Sequence, residues 1–209
     1  MLFRSPTGRA LIGVSDDAEN LIIVVPGANH ALSTSDIDAA SGVIARAKVV
    51  LVQLEIRLEV VQRAVELAGP DTLVVVNPAP AAQLPDELLA HVDVITPNEH
   101  EERLLGGASS LLSRGVGAVV VTEGARGARL VRTTGEQRIA PYPVTPVDTT
   151  GAGDAFCGAL SARLAQGGGM AALPEALRAA AVAGALATQV KGAVPSLPHW
   201  DAVAAVLGA

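Results

Sequence analysis

Apolar and polar positions follow two rhythms along this chain. Short β-branched runs occupy residues 10–14, 20–25, 48–54 (VVLVQL at its heart), 72–76, 92–95 and 118–121. Runs of this length, bounded by turn residues, predict strands. Between them the apolar spacing changes to three and four. In residues 58–68, Val60, Val61, Ala64, Val65 and Ala68 fall on one face, which predicts an amphipathic helix. Further helices are expected over 33–46, 98–105, 151–165, 173–190 and 200–207. Ser33 and Asp36 form a capping-box pair at the first of these. Ser15-Asp16-Asp17 supplies turn chemistry between the first two strands, and Pro26-Gly27-Ala28-Asn29 breaks the pattern that follows. Residues 128–131 and 137–140 read as a hairpin around Thr134-Gly135. Continuous apolar strands separated by helices predict an α/β fold, a parallel sheet covered on both faces. Such sheets bind ligands beyond the carboxyl ends of their strands. The polar segments of this chain fall mostly there.

Composition narrows the picture in four respects. The 209 residues fit one domain, and half of them are hydrophobic while only 2% are aromatic, so the core must be Ala, Val and Leu. The formal charge of -6, with no Lys/Arg cluster, argues against a nucleic-acid partner. A single cysteine, Cys157, allows no internal disulfide and reads as a small buried apolar residue, compatible with a reducing cytosol. No apolar run approaches the roughly 18–20 residues of a membrane span, and the amino terminus is too weakly apolar for a signal peptide. The expectation is a soluble cytoplasmic protein. Gly167-Gly168-Gly169 reads as an interhelical loop.

The most informative segment is Val147-Asp148-Thr149-Thr150-Gly151-Ala152-Gly153-Asp154-Ala155-Phe156. Small residues stand where an apolar helix begins, so an anion can approach free N–H groups at the positive end of the helix dipole. Asp154 in that first turn has two readings. It can stabilise its own helix by about 0.3–1 kcal/mol. Beside an anion hole, it can instead take a proton from a hydroxyl attacking a phosphoryl group.

The string DTTGAGDAF closely resembles the carboxyl-terminal signature of the ribokinase (PfkB) family of carbohydrate kinases. The resemblance implies a Rossmann-like ribokinase fold and makes Asp154 the catalytic base, with Gly151, Ala152 and Gly153 forming the anion hole. Other segments carry it along nearly the whole chain: Pro26 to Asn29 with Ala31-Leu32-Ser33, Asn77-Pro78-Ala79-Pro80-Ala81, and Leu84-Pro85-Asp86-Glu87-Leu88-Leu89. Glu55, after Gln53-Leu54, is implied as a sugar ligand beside Asp154; by itself it would read as a solvated loop acid. Thr96-Pro97-Asn98-Glu99-His100-Glu101 matches the N-x-x-E motif, which orients Mg²⁺-bound waters near the phosphates. Asn98 and Glu101 also suit a helix capping pair, and both roles can hold. Thr122-Glu123-Gly124-Ala125-Arg126-Gly127 resembles the T-x-G-x-x-G nucleotide loop, which adds these six residues, with Asn98 and Gly153, as ATP contacts. Glu123 stands where relatives are usually apolar. A K⁺ site is implied at Asp148, Thr150, Ala187, Val190, Gly192 and Ser196, largely through backbone carbonyls.

Departures from the family pattern set the terms of the functional expectation. The chain aligns as a carboxyl-terminal two thirds, one domain over 1–209. It lacks the family's G-D and G-G-x-x-x-N motifs, several strands and most of the β-lid, and Glu55 and Asp154 lack their sugar-side partners. An exposed sheet edge and an uncovered apolar face should follow. Residues 106–117 form a shortened segment, and Ala181 stands where relatives often place a polar adenine contact. The expected activity is phosphoryl transfer from ATP to ribose, giving ribose 5-phosphate. Two alternatives stay open: a catalytically silent nucleotide-binding remnant, and a kinase for another sugar or a nucleoside. The partners implied are ribose and ATP, with no nucleic acid or membrane; a lid-mediated homodimer is left open.

Overall fold

The computed structural model describes residues 5–14 and 20–208. The expected Ser15-Asp16-Asp17 turn lies outside them. Strands β1 (Arg9–Val14) and β2 (Asn20–Val25) pair as a separate antiparallel ribbon. The main sheet has six strands in sequence order: β3 (Val49–Val52), β4 (Leu73–Val76), β5 (Val94–Ile95), β6 (Ala118–Thr122), β7 (Ala128–Arg132) and β8 (Gly135–Ile139). The first four are parallel, and β6–β7–β8 are antiparallel.

Alternation within the strands explains why they read as unbroken apolar runs. Val74, Val76, Ile95, Val119 and Val121 face one core. Val75, Val94, Ala118 and Val120 face another. Successive side chains point to opposite faces of a sheet, so a strand covered on both sides needs no polar positions. The first core is closed by α3 (Leu58–Glu66), α4 (Asp86–Leu89) and α6 (Ala108–Ser113), with Leu105 just past the end of α5 (Glu99–Leu104), all lying between parallel strands in sequence. The second is closed by α7 (Ala152–Ala165) and α8 (Leu173–Ala187). In α3 the buried residues are Val60, Val61, Ala64 and Val65, the face its spacing predicts. α7 and α8 approach closely through Gly184, where a Cβ would lie 3.2 Å from the Ala152 carbonyl oxygen.

Several expectations change at their margins. The helix predicted over 33–46 is two short helices, α1 (Thr34–Ala39) and α2 (Ser41–Ile44), separated at Ala40. Its capping contact is present, with Ser33 N–H donating to Asp36 Oδ2 at 2.9 Å. α4 was not anticipated as a helix, and the shortened 106–117 segment still holds α6. α8 ends at Ala187, and α9 (Ala193–Ser196) precedes α10 (Trp200–Leu207). Gly169–Ala187 is 19 residues long with a mean hydropathy of 1.3, so one segment does have the length and apolarity of a membrane span. It packs its apolar side chains onto the sheet and α7. β3 has no second partner among the described residues, and Leu51 on it is 41% exposed, as the expected open edge requires.

Leu160 is fully buried in the second core. Leu160→Ala should therefore cost about 2–5 kcal/mol. Urea denaturation measures this, and a loss below about 1 kcal/mol would be inconsistent with α7 lying packed on the sheet.

Candidate active site

Four polar segments leave the sheet at one edge. β3 runs into Gln53-Leu54-Glu55, β4 into Asn77-Pro78, β5 into Thr96-Pro97-Asn98 and β6 into Glu123-Gly124. Because β3–β6 are parallel, all four segments stand at the carboxyl ends. The last two are joined directly: Thr122 N–H donates to the Pro97 carbonyl at 2.9 Å, and Asn98 bridges to Thr122. α5 starts there. Asn98 Oδ1 accepts from Glu101 N–H and Glu101 Oε2 accepts from Asn98 N–H, both at 2.8 Å. This reciprocal cap fixes both side chains. Burial raises the Glu101 pKa, against the opposing pull of the Asn98 N–H and of His100, which is itself exposed.

The start of α7 is set by its preceding loop. Gly151 caps the helix in the left-handed region, at φ 81°. A Cβ there would lie 3.1 Å from Ala193 Cα and 3.3 Å from Ser196 Oγ, so conformation and space both call for glycine. Asp148 braces the loop: its two carboxylate oxygens accept the N–H groups of Thr150 and Gly192, each at 2.9 Å. Hydrogen bonds from Thr150 and then Gly192 pull its pKa down to about 2. Val147 and Asp148 N–H both donate to the Thr188 carbonyl, at 2.7 and 3.0 Å. Ser196 is buried, and its hydroxyl donates to the Ala193 carbonyl at 2.7 Å and reaches the Thr150 carbonyl at 3.4 Å. Thus the loop bearing Asp148 and Thr150 is hydrogen-bonded to the segment that runs from Ala187 at the end of α8 through Val190 and Gly192 to Ser196 in α9.

Within the first turn of α7, Ala152 N–H is already given to the Thr149 carbonyl at 3.2 Å. The remaining first-turn donors are those of Gly153 and Asp154, since early helix amides lack intrahelical acceptors. Asp154 and Gly153 are exposed. One turn on, Cys157 is buried as expected, and its Sγ lies 3.3 Å from Thr96 Oγ1 at the end of β5. This contact docks the start of α7 onto the strand end that leads to Asn98. Burial pushes the Cys157 thiol up to about 11, helped by the charges of Asp154 and Glu101. Both carboxylates therefore act on one buried thiol from the same edge of the sheet.

The loop after β6 makes a 3-10 turn over Gly124–Arg126. Gly127 has φ 88°, and a Cβ on it would collide with the Ile139 carbonyl. Thr122 is half-buried, while Gly124, Ala125 and Arg126 are exposed at the rim. Arg126 pairs with Glu99 at 2.5 Å. Glu123 departs from the expectation of a nucleotide contact in its side chain, which turns inward to Arg129 and Arg138. Only its backbone remains on the loop side, with its N–H held by the Gly127 carbonyl at 2.8 Å. Nothing in the sequence motif signalled this ion pairing except the charge of Glu123 at an otherwise apolar position. Glu55 is exposed at the end of the edge strand, its N–H bonded to Gln53 Oε1 at 2.6 Å. No hydrogen bond among the described residues joins it to α7. Ala181 is half-buried against the second core. Two clefts of about 400 Å³ lie elsewhere, at the amino ends of β4–β6 and between the end of α7 and the start of α8. Neither contains a candidate site residue, although Gly167 and Gly168 of the expected interhelical loop line the second.

The profile of the pfkB family carbohydrate kinases matches residues 4–200. The chain belongs to the PfkB family of carbohydrate kinases. Among its relatives in that family, the bifunctional ribokinase/ribose-5-phosphate isomerase A of Fructilactobacillus sanfranciscensis is 37% identical over 96% of this chain and 39% of its own length. The ribokinase of Staphylococcus aureus is 36% identical over 94% of this chain and 68% of its own. The structure of Arabidopsis thaliana ribokinase complexed with ribose and ATP superposes with a TM-score of 0.85 at 30% identity, covering 98% of this chain and 70% of that one. The PfkB chain described here thus spans 39% of the first relative and about two thirds of the other two. Ribokinase likeness therefore extends along the chain from the strand ends to α10.

Asp148 gives the site a pH signature. Its folded pKa of about 2 lies below the ordinary 3.8, so the stability it contributes is present above about pH 4 and is lost as pH falls towards 2. Asp148→Asn should flatten the acid limb of a urea-midpoint-against-pH curve in that window. Equal slopes in the two proteins would show that Asp148 is not bonded as described.

Proposed function

We propose that this chain is the phosphate-handling part of an ATP-dependent ribokinase, transferring the γ-phosphoryl group of ATP to the primary hydroxyl of ribose. One observation carries the reading: Asp154 stands in the first turn of α7, docked by Thr96 and Cys157 onto the strand edge that also bears Glu101 and the loop at 122–127. Asp154 accepts the proton of the attacking hydroxyl. Of the anion-hole residues Gly151, Ala152 and Gly153, Ala152 already gives its N–H to Thr149, so the amides of Gly151 and Gly153, joined by that of Asp154, stabilise the developing charge. The backbone of Thr122, Glu123, Gly124 and Gly127, with Ala125 and the Arg126 side chain, receives the nucleotide. Glu55 is assigned to the sugar. The choice of ribose is supported by the ribokinases among its relatives and by the ribose and ATP of the Arabidopsis structure.

Two ions belong to the reading. Glu101 offers a half-buried carboxylate held in place by Asn98, and a single fixed acid suits Mg²⁺, which keeps most of its waters. Among the described residues no group of three His, Cys, Asp or Glu forms a cage, in keeping with a cation shared with phosphates. Mg²⁺ would neutralise phosphate charge. The loops at 148–150 and 187–196 present carboxylate, hydroxyl and carbonyl oxygens, with Ser196 Oγ buried among them, a donor set that suits K⁺. K⁺ would stiffen the backbone leading into Gly151. Dimerisation through the β1–β2 ribbon is proposed from its outward apolar residues, Leu11 at 63% exposure with Val24 and Val25. A cytoplasmic location is supported by the single free, buried cysteine.

Asp154→Asn should lower ribose-dependent ADP release by roughly 10²- to 10⁴-fold while leaving ADP affinity nearly unchanged. An unchanged rate would remove Asp154 from the chemistry. Exchanging K⁺ for Na⁺ should lower the rate of the unsubstituted protein, whereas equal rates in the two salts would count against the oxygen cluster at Asp148 and Ser196 as a cation site.

A further inference from the structure

Directly behind the loop at 122–127 lies a set of ion pairs that the phosphate-binding motifs do not explain. Arg129 on β7 sits opposite Val121 of β6 on one side and opposite Arg138 of β8 on the other. Two like charges directly across a ladder repel each other. Glu123 relieves this, placing Oε1 3.3 Å from Arg129 Nε and Oε2 3.1 Å from Arg138 Nη1. Glu123 is only 9% exposed, and a carboxylate so buried is tolerated when both oxygens are paired. The remaining nitrogens of Arg129 are also engaged: Nη2 lies 2.8 Å from Glu102 Oε2 and Nη1 3.4 Å from Glu136 Oε2. One planar guanidinium therefore touches α5, the end of β6 and β8. Its pKa is raised, because these carboxylates outweigh the burial that opposes its charge.

The partners of Arg129 are placed where they bear on the site. Glu102 is the neighbour of Glu101 in α5, and its Oε1 accepts Ala108 N–H at 3.2 Å, anchoring it to the start of α6 as well. Glu123 lies inside the T-x-G-x-x-G segment and is bonded through its own N–H to Gly127. The outer pair between Arg126 and Glu99 links the same loop to the same helix, but it is exposed and contributes little. We propose that Arg129 is a positioning residue: by holding Glu102 and Glu123 at once, it fixes the helix that presents Glu101 against the loop that receives the nucleotide. The proposal rests on the reading of that loop as the nucleotide site. Arginine is required because three carboxylates are met by one rigid fork, which a lysine cannot reproduce.

The test combines two measurements on the intact protein: amide hydrogen exchange of residues 123–127 without nucleotide, and ADP affinity by calorimetry. In Arg129→Met the Gly127 amide should exchange faster while core amides such as Val75 stay protected, and the ADP Kd should rise about tenfold, a typical coupling for contacting residues. Arg129→Lys should recover only part of both. Glu102→Gln, which leaves the Glu123–Arg129 pair in place, should raise the Kd by about threefold and serves if the Met variant does not fold. Unchanged exchange, or equal ADP affinity in all variants, overturns the clamp. Faster exchange in Arg129→Met with no ADP binding by the unsubstituted protein would instead support the clamp and overturn the nucleotide-site reading beneath it.

Discussion

The parallel register of β3, β4, β5 and β6 is the constraint on which the rest of the molecule depends. It sends four successive strands out at the same edge, so residues far apart in sequence, Glu55, Asn77, Asn98 and Thr122, emerge side by side. That register is enforced from both faces. Val74 and Val76 answer to one core and Val75 to the other, so a slip of one residue would exchange the two sets. The helices of the first core, α3 to α6, are the connections that parallel pairing demands. They also carry the caps and charges, Asn98, Glu101 and Glu102, that reach the edge.

α7 is brought to this edge by contacts that are small and specific. Gly184 lets α8 approach α7, Gly151 lets the preceding loop turn sharply, and Thr96 with Cys157 pins the first turns of the helix to β5. Of these, Gly184, Thr96 and Cys157 take no part in the proposed chemistry, and Gly151 takes part only through its amide. Their effect is to hold Asp154, in the first turn of α7, at the strand end that leads to Asn98 and Glu101.

Local signals in the sequence were read well wherever structure is set by neighbouring residues. The face of α3, the Ser33–Asp36 and Asn98–Glu101 caps, the buried Cys157 and the helix start at Gly151 all depend on spacing or on the size of one residue. Reading failed where distance in sequence is large. α4 is a helix of one turn, too short for a period to appear. The break at Ala40 precedes Ser41-Gly42, within a stretch read as one helix. Glu123 was assigned by its motif, yet its side chain is taken by Arg129 and Arg138, six and fifteen residues away on the next two strands. The apolar length of Gly169–Ala187 was underestimated because Glu175 and Arg178 interrupt it, although on average it stays apolar.

The two sides of the proposed reaction centre are supported unequally. On the phosphate side, Asp148, Gly151, Asn98, Glu101 and the loop to Gly127 are tied by reciprocal hydrogen bonds and by the Arg129 cluster, so their geometry follows from contacts within the described chain. On the sugar side, Glu55 ends an edge strand whose outer flank meets no other strand among the described residues. An exposed acid whose one local bond, to Gln53, is made by its backbone N–H is not by itself the rigid support that orienting a sugar hydroxyl towards Asp154 calls for. In the proposed reading, nucleotide recognition and sugar recognition are therefore separate demands on the chain. ADP binding reports on the first, whereas turnover reports on both.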